Sequence, residues 1–181
     1  MKQKVLILAL AASFIGFFLT SEAMAVTAEN IDIGVERSLN MLKDIKGGKA
    51  VLEKAEGVLV FPAVFKAGFV FGGEYGEGAL VIKGKTVDYY NTAAGSFGFQ
   101  LGAQKKTIII AFMDKGALNS FRNSEGWKIG ADASVTVVAI GADGSIDTAK
   151  TNKPIVAFVF DQKGLMYNLT LEGAKITKLK K

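Results

Sequence analysis

The chain has no cysteine, no histidine and only two prolines in 181 residues. Without cysteine there is no disulfide, no thiolate nucleophile and no point for attaching lipid to a cysteine. Without histidine the commonest general base and metal ligand are missing, which excludes Ser–His and Cys–His pairs and ordinary zinc sites. Ser96, Ser120 and Ser134 therefore lack an activating partner, and no Ser-x-x-Lys pair stands out. Glu74 and Glu77 are three apart in a stretch that reads as a strand, where such positions point to opposite faces. They form no acid/base pair, and with Asp88 they lack the spacing of a hard-oxygen metal site. No catalytic residue, no metal and no cofactor are expected. Basic residues do not interleave with aromatics on one face, so no nucleic-acid partner is expected either.

What the chain has in quantity is apolar surface, 50% of its residues, with 21 glycines and 13 phenylalanines. Phe61 to Ile82 concentrates them, alternating large aromatics with Gly68, Gly72, Gly73, Gly76 and Gly78. Each interior glycine costs a helix about 1 kcal/mol against alanine, so strands are expected. Glycine within a strand marks a bend or the close approach of another backbone. Gly95 to Gln104 repeats the pattern around Gly98 and Gly102. Neither stretch carries the glycine spacing or the lysine of a phosphate-binding loop.

Residues 1–25 read as an export signal. Lys2 and Lys4 precede an apolar run from Val5 to Leu19, and Ala23-Met24-Ala25 supplies the small-x-small cleavage pattern. The run is shorter than a membrane span, and an uncleaved anchor is the alternative. Cleavage leaves residues 26–181, one domain large enough to bury roughly 68–70% of its unfolded surface, and places the protein in the periplasm or beyond. The whole chain has 22 Lys+Arg against 17 Asp+Glu. Setting aside the signal's charges and Lys175, Lys178, Lys180 and Lys181, residues 26–173 carry 16 of each sign. The net charge is expected in a short basic tail, residues 174–181.

Ile31, Val35, Leu39 and Leu42 recur at helical spacing and predict an amphipathic helix ended by Gly47-Gly48. That face packs on the sheet or lies on a membrane. A short helix over residues 49–55 is expected next. Strands follow: Val58 to Phe61 stopped by Pro62, the central stretch, a Lys83-Gly84 turn, Thr86 to Tyr90 and Thr107 to Met113. Asp114 caps a brief helix to Arg122; then come Ser134 to Ile140, Ile155 to Phe160 and Leu165 to Leu171. Helices followed by many short strands indicate an α+β domain whose mostly antiparallel sheet is strongly curved, toward a barrel.

The order of several blocks resembles the SYLF domain, a family of bacterial envelope proteins and of eukaryotic lipid-binding and actin-associated proteins. Ala55 to Val58 with Val64 to Gly73 looks like its opening signature. Gly76-Glu77-Gly78, Ala94 to Gly102, Ile108 to Ile110, a short helix closing on Phe121, and Lys163-Gly164-Leu165 with Leu171-Glu172-Gly173 follow. The blocks span about residues 30–173. The resemblance implies a non-enzymatic domain that binds anionic phospholipid of the phosphoinositide type, partly through its first helix. Here that helix is amphipathic without being cationic, since Glu29, Asp32, Glu36 and Asp44 outnumber Arg37, Lys43 and Lys46.

The residues expected at the lipid are Ile31, Val35, Leu39 and Leu42 on the helix, Lys66 alone among apolar neighbours, and the four terminal lysines. The partner is a lipid or membrane surface. The alternative is an envelope structural or protein-interaction module whose protein partner is unknown. A small outer-membrane barrel fits less well, because Val58 to Phe61 and Thr107 to Met113 are apolar on both faces.

Overall fold

A computed structural model describes residues 26–68, 71–97, 104–138, 145–146, 150–161, 164–165 and 171–181. The expected export signal, Gly98 and Gly102 lie outside them. Helix α1 (Ala28–Lys43) leads into α2 (Gly48–Lys54) and then four long strands, β1 (Gly57–Gly68), β2 (Phe71–Ile82), β3 (Lys85–Phe97) and β4 (Gln104–Phe112). Helix α3 (Lys115–Arg122) and the short strands β5 (Trp127–Lys128) and β6 (Thr136–Val137) follow. The chain closes with β7 (Ile155–Asp161), β8 (Gly164–Leu165) and β9 (Lys175–Leu179). All join one sheet in the order β5-β9-β3-β2-β1-β4-β7-β6, with β8 on β7. Among the described strand pairs only β6–β7 is parallel, and the sheet curls into a half-barrel. This is the curved, mostly antiparallel α+β fold that the sequence implies.

Local chemistry sets the element ends. The Thr27 side chain accepts from the Asn30 amide at 3.2 Å and Asp114 from that of Ala117 at 2.9 Å, capping α1 and α3. The β2–β3 turn places Lys83 and Gly84 at φ 50° and 75°, the left-handed pair of a tight hairpin.

Pro62 does not stop β1. Phe61 and Pro62 together face Gly78 of β2, while Pro62 and Ala63 face Thr107 of β4, so the strand bulges on both sides and continues. Proline is tolerated at a bulge because no ladder bond needs its missing N–H. The Thr107 hydroxyl donates to the Pro62 carbonyl at 2.9 Å.

Two other readings are corrected. Residues 134–140 contribute only the two-residue β6 among those described. The last eight residues are not a tail: β9 pairs with β3 and β5 and buries Ile176. Ala174 and Ile176, two apart, are buried on one face, Lys175 between them is exposed, and Lys178 and Lys181 are in ion pairs.

Each face of the sheet carries a core. On one, α3 packs Leu118 and Phe121 against Leu59, Ile110 and Phe112, with Trp127 and Tyr90 completing an aromatic cluster. On the other, Ile31, Val35 and Leu42 of α1 cover Val60, Ala79, Ile109 and Phe158.

The Tyr90 hydroxyl is buried and has no hydrogen-bond partner among the described residues. Burial first, and then the charge of Asp88, pushes its pKa up from 10 to about 12. The unfolded chain therefore gives up this proton first. The stability the neutral phenol supports is whole below pH 10 and is lost as pH rises toward 12. Tyr90→Phe should flatten that alkaline decline, read as denaturant midpoints at pH 9 and 11, and should cost little at neutral pH.

Candidate functional site

Helix α1 crosses the sheet at the bulge. A Cβ on Gly34 would stand 2.8 Å from both Cβ and Cγ of Pro62, so only glycine permits this approach. The Asp32 carboxylate accepts hydroxyl bonds from Thr86 at 2.8 Å and Tyr89 at 2.9 Å, tying the helix to β3. Burial and this bond both raise the Tyr89 pKa.

Beyond the crossing, the face is left open as a groove of about 840 Å³. Helix α1 supplies Ile33, Arg37 and Met41, four residues apart on one side. The sheet supplies Phe65, Tyr75 and Lys105. Phe65 and Tyr75 are register partners on neighbouring strands and remain 54% and 49% exposed. The Lys105 ammonium stands 5.9 Å from the Phe65 ring centroid, within cation–π range.

The groove's electrostatics favour an anion. Among the described residues lining it, Glu77 is the one carboxylate, and it is engaged. Its Oε1 accepts from the Tyr75 hydroxyl at 3.0 Å and its Oε2 pairs with Lys181 at 2.6 Å. Lys181 also donates to the Val26 carbonyl. Burial, and then Glu77, raise the Tyr75 pKa. Arg37 and Lys105 form no ion pair among the described residues, so the lip carries uncompensated positive charge.

Of the residues expected from the sequence, Ile31 lines the groove from its buried side, and the others fall elsewhere. Ile31, Val35 and Leu42 are buried, and Leu39 is half-buried against the same core. That apolar face packs on the sheet, with Ile31 also reaching the groove. Lys66 lies on the opposite face, 3.8 Å from Glu74, whose second oxygen pairs with Lys106 at 2.6 Å. Glu74 and Glu77 are thus on opposite faces, as their spacing requires. Of the terminal lysines, Lys178 pairs with Asp88 at 2.5 Å and Lys181 with Glu77, while Lys175 and Lys180 are exposed.

The glycines also redistribute. A Cβ on Gly78 would lie 2.0 Å from the Val60 carbonyl oxygen, and one on Gly76 2.7 Å from that of Ala63. At Gly73 the nearest atom is 3.9 Å away, so crowding does not explain that residue. Gly72 faces Gly68 across the β1–β2 pair.

Sequence reasoning missed Ile33, Met41, Phe65 and Tyr75. The available signal was a second apolar stripe beside the buried one on α1. Strand parity also sets Phe65 opposite to the buried Val64 and Tyr75 opposite to the buried Gly76. Among the described residues no cluster of three acidic side chains is placed to hold a metal ion, and no helix is long and apolar enough to cross a membrane.

No curated protein matches the chain. A family model, Ysc84, described as a Las17-binding protein actin regulator, matches residues 93–181. That span runs from the second half of β3 to β9 and contains the Ala94 to Gly102 block, the helix closing on Phe121 and the Leu171-Glu172-Gly173 block. With the curved α+β fold in place, this match is consistent with a SYLF-domain family protein.

Proposed function

We propose that this protein is a non-enzymatic lipid-binding domain acting in the cell envelope after export. The observation that carries the reading is the groove between α1 and the β1–β2 pair, apolar inside and cationic at its lip. An acyl chain would lie against Ile33, Met41, Phe65 and Tyr75, each buried methylene contributing about 0.8 kcal/mol. An anionic headgroup would meet Arg37 and Lys105. The matched family's description names a binding protein and regulator rather than a catalyst. It also favours a second reading, a protein-interaction module that uses the same groove.

An environment-sensitive fluorescent fatty acid tests the first reading. The protein should bind it saturably. Ile33→Ser with Met41→Ser should weaken binding about tenfold, some 1.4 kcal/mol, without moving the melting temperature, because both side chains are exposed. Equal binding by the double variant, or none by the parent, overturns the lipid reading. Export is checked separately, since N-terminal sequencing of exported protein should begin at Val26.

A further inference from the structure

One exposed row runs straight across six strands on the face that bears the groove. Lys105 of β4 pairs with Phe65 of β1, Phe65 with Tyr75 of β2, Tyr75 with Ala93 of β3, Ala93 with Lys175 of β9, and Lys175 with Lys128 of β5. All six are exposed. At about 4.8 Å per strand the row is roughly 24 Å long. Two large aromatics stand near one end, one lysine outside them and two at the far end, with no acidic residue in the row. Above it Gly73 pairs with Gly95, both exposed; a Cβ on Gly73 would meet only the Ala94 carbonyl oxygen at 3.9 Å, and one on Gly95 nothing within 4 Å. The platform therefore projects without obstruction.

We propose that this row is the surface by which the protein docks onto an anionic lipid bilayer, with the groove opening toward the membrane beside it. The assignment rests on the groove's reading as a lipid site and names the partner surface. Adjacent exposed aromatics with apolar bodies and polar edges suit the headgroup boundary. Lysines carry apolar stems that let the ammonium reach the phosphates while the stem lies along the face. The charge pattern chooses the occupant: cations bracket the aromatics, Glu77 beside Tyr75 is neutralised by Lys181, and the Asp132 carboxylate next to Lys128 is engaged by the Lys128 backbone N–H at 2.6 Å.

The test is co-sedimentation with vesicles of phosphatidylcholine, with and without phosphatidylglycerol. Binding should require phosphatidylglycerol and fade with salt, as screening shortens to about 8 Å at physiological ionic strength. Lys128→Gln with Lys175→Gln should weaken it roughly thirtyfold, two lysines at about 1 kcal/mol each. The same charge change at the far end of the sheet, Lys83→Gln with Lys85→Gln, should have a much smaller effect. Tyr75→Ser should weaken docking as well. Fatty-acid binding should be untouched by the Lys128/Lys175 pair, which separates the two readings. Loss of fatty-acid binding with docking retained would sink the groove and leave the row. Equal losses from both lysine pairs would reduce docking to net charge and overturn the assignment. So would unchanged sedimentation of the Lys128/Lys175 variant, or equal binding to neutral vesicles.

Discussion

Gly78→Val is expected to lower the stability of the folded chain by about 3 kcal/mol, the upper end of the cost of overpacking. For a domain of this size that is roughly 6–12 °C in melting temperature. The cause is the bulge at Phe61-Pro62. Where two residues of β1 face one of β2, the Val60 carbonyl turns to within 2.0 Å of where a Cβ on Gly78 would stand. Because Val60 is pinned between β2 and β4, its oxygen cannot retreat without breaking ladder bonds on both sides. Gly73→Val is the control. It sits five residues away in the same strand, exposed, with only the Ala94 carbonyl oxygen at 3.9 Å from where a Cβ would stand. There a β-branched residue suits the strand and narrows the unfolded ensemble, so melting should stay or rise slightly. Thermal melts of the two variants decide the matter. If Gly73→Val loses as much as Gly78→Val, local crowding is the wrong account of these glycines.

That contrast also marks what the sequence could tell. Glycine among aromatics announced a bent strand, and the strand is bent. Which glycine is crowded depends on the partner strand's register, and the register depends on a bulge that leaves no local pattern beyond one proline. Pro62 reads as a stop in a single strand, because its defect becomes harmless only when both neighbours skip a residue. The α1 face was legible because Ile31, Val35 and Leu42 obey one period and pack on one surface. Phe65 and Tyr75 were not legible as surface residues. An aromatic in a strand belongs to the core or to a binding face according to what covers the sheet, and α1 covers only the half below the crossing. The lysines from 175 to 181 read as a tail by charge, although Ala174 and Ile176, two apart around Lys175, already hinted at a strand's buried face.

Gly34→Leu is the second substitution with a large expected effect, and it bears on how the first helix works. At 2.8 Å from the Pro62 ring, a Cβ alone forces α1 or β1 to move, and a leucine side chain has nowhere to go but between them. The helix holds Ile31, Val35 and Leu42 in the core, each contributing about 1.5–3 kcal/mol by burial. Partial undocking should therefore cost several kcal/mol and expose that apolar face. The Asp32 bonds to Thr86 and Tyr89 should be lost with it. Denaturant unfolding followed by Trp127 fluorescence should show a lowered midpoint. Hydrogen exchange should show lost protection in α1 ahead of β1 and β4. A helix that worked by lying on a membrane would give the opposite outcome, an unchanged midpoint, because its apolar face would carry no load in the free protein. Fatty-acid binding supplies the link to the groove, since Ile33 and Met41 line it only while α1 is seated. Weaker binding by Gly34→Leu at temperatures where the sheet remains folded would show that docking of the helix builds the site. Full binding by that variant would place the site on the sheet alone.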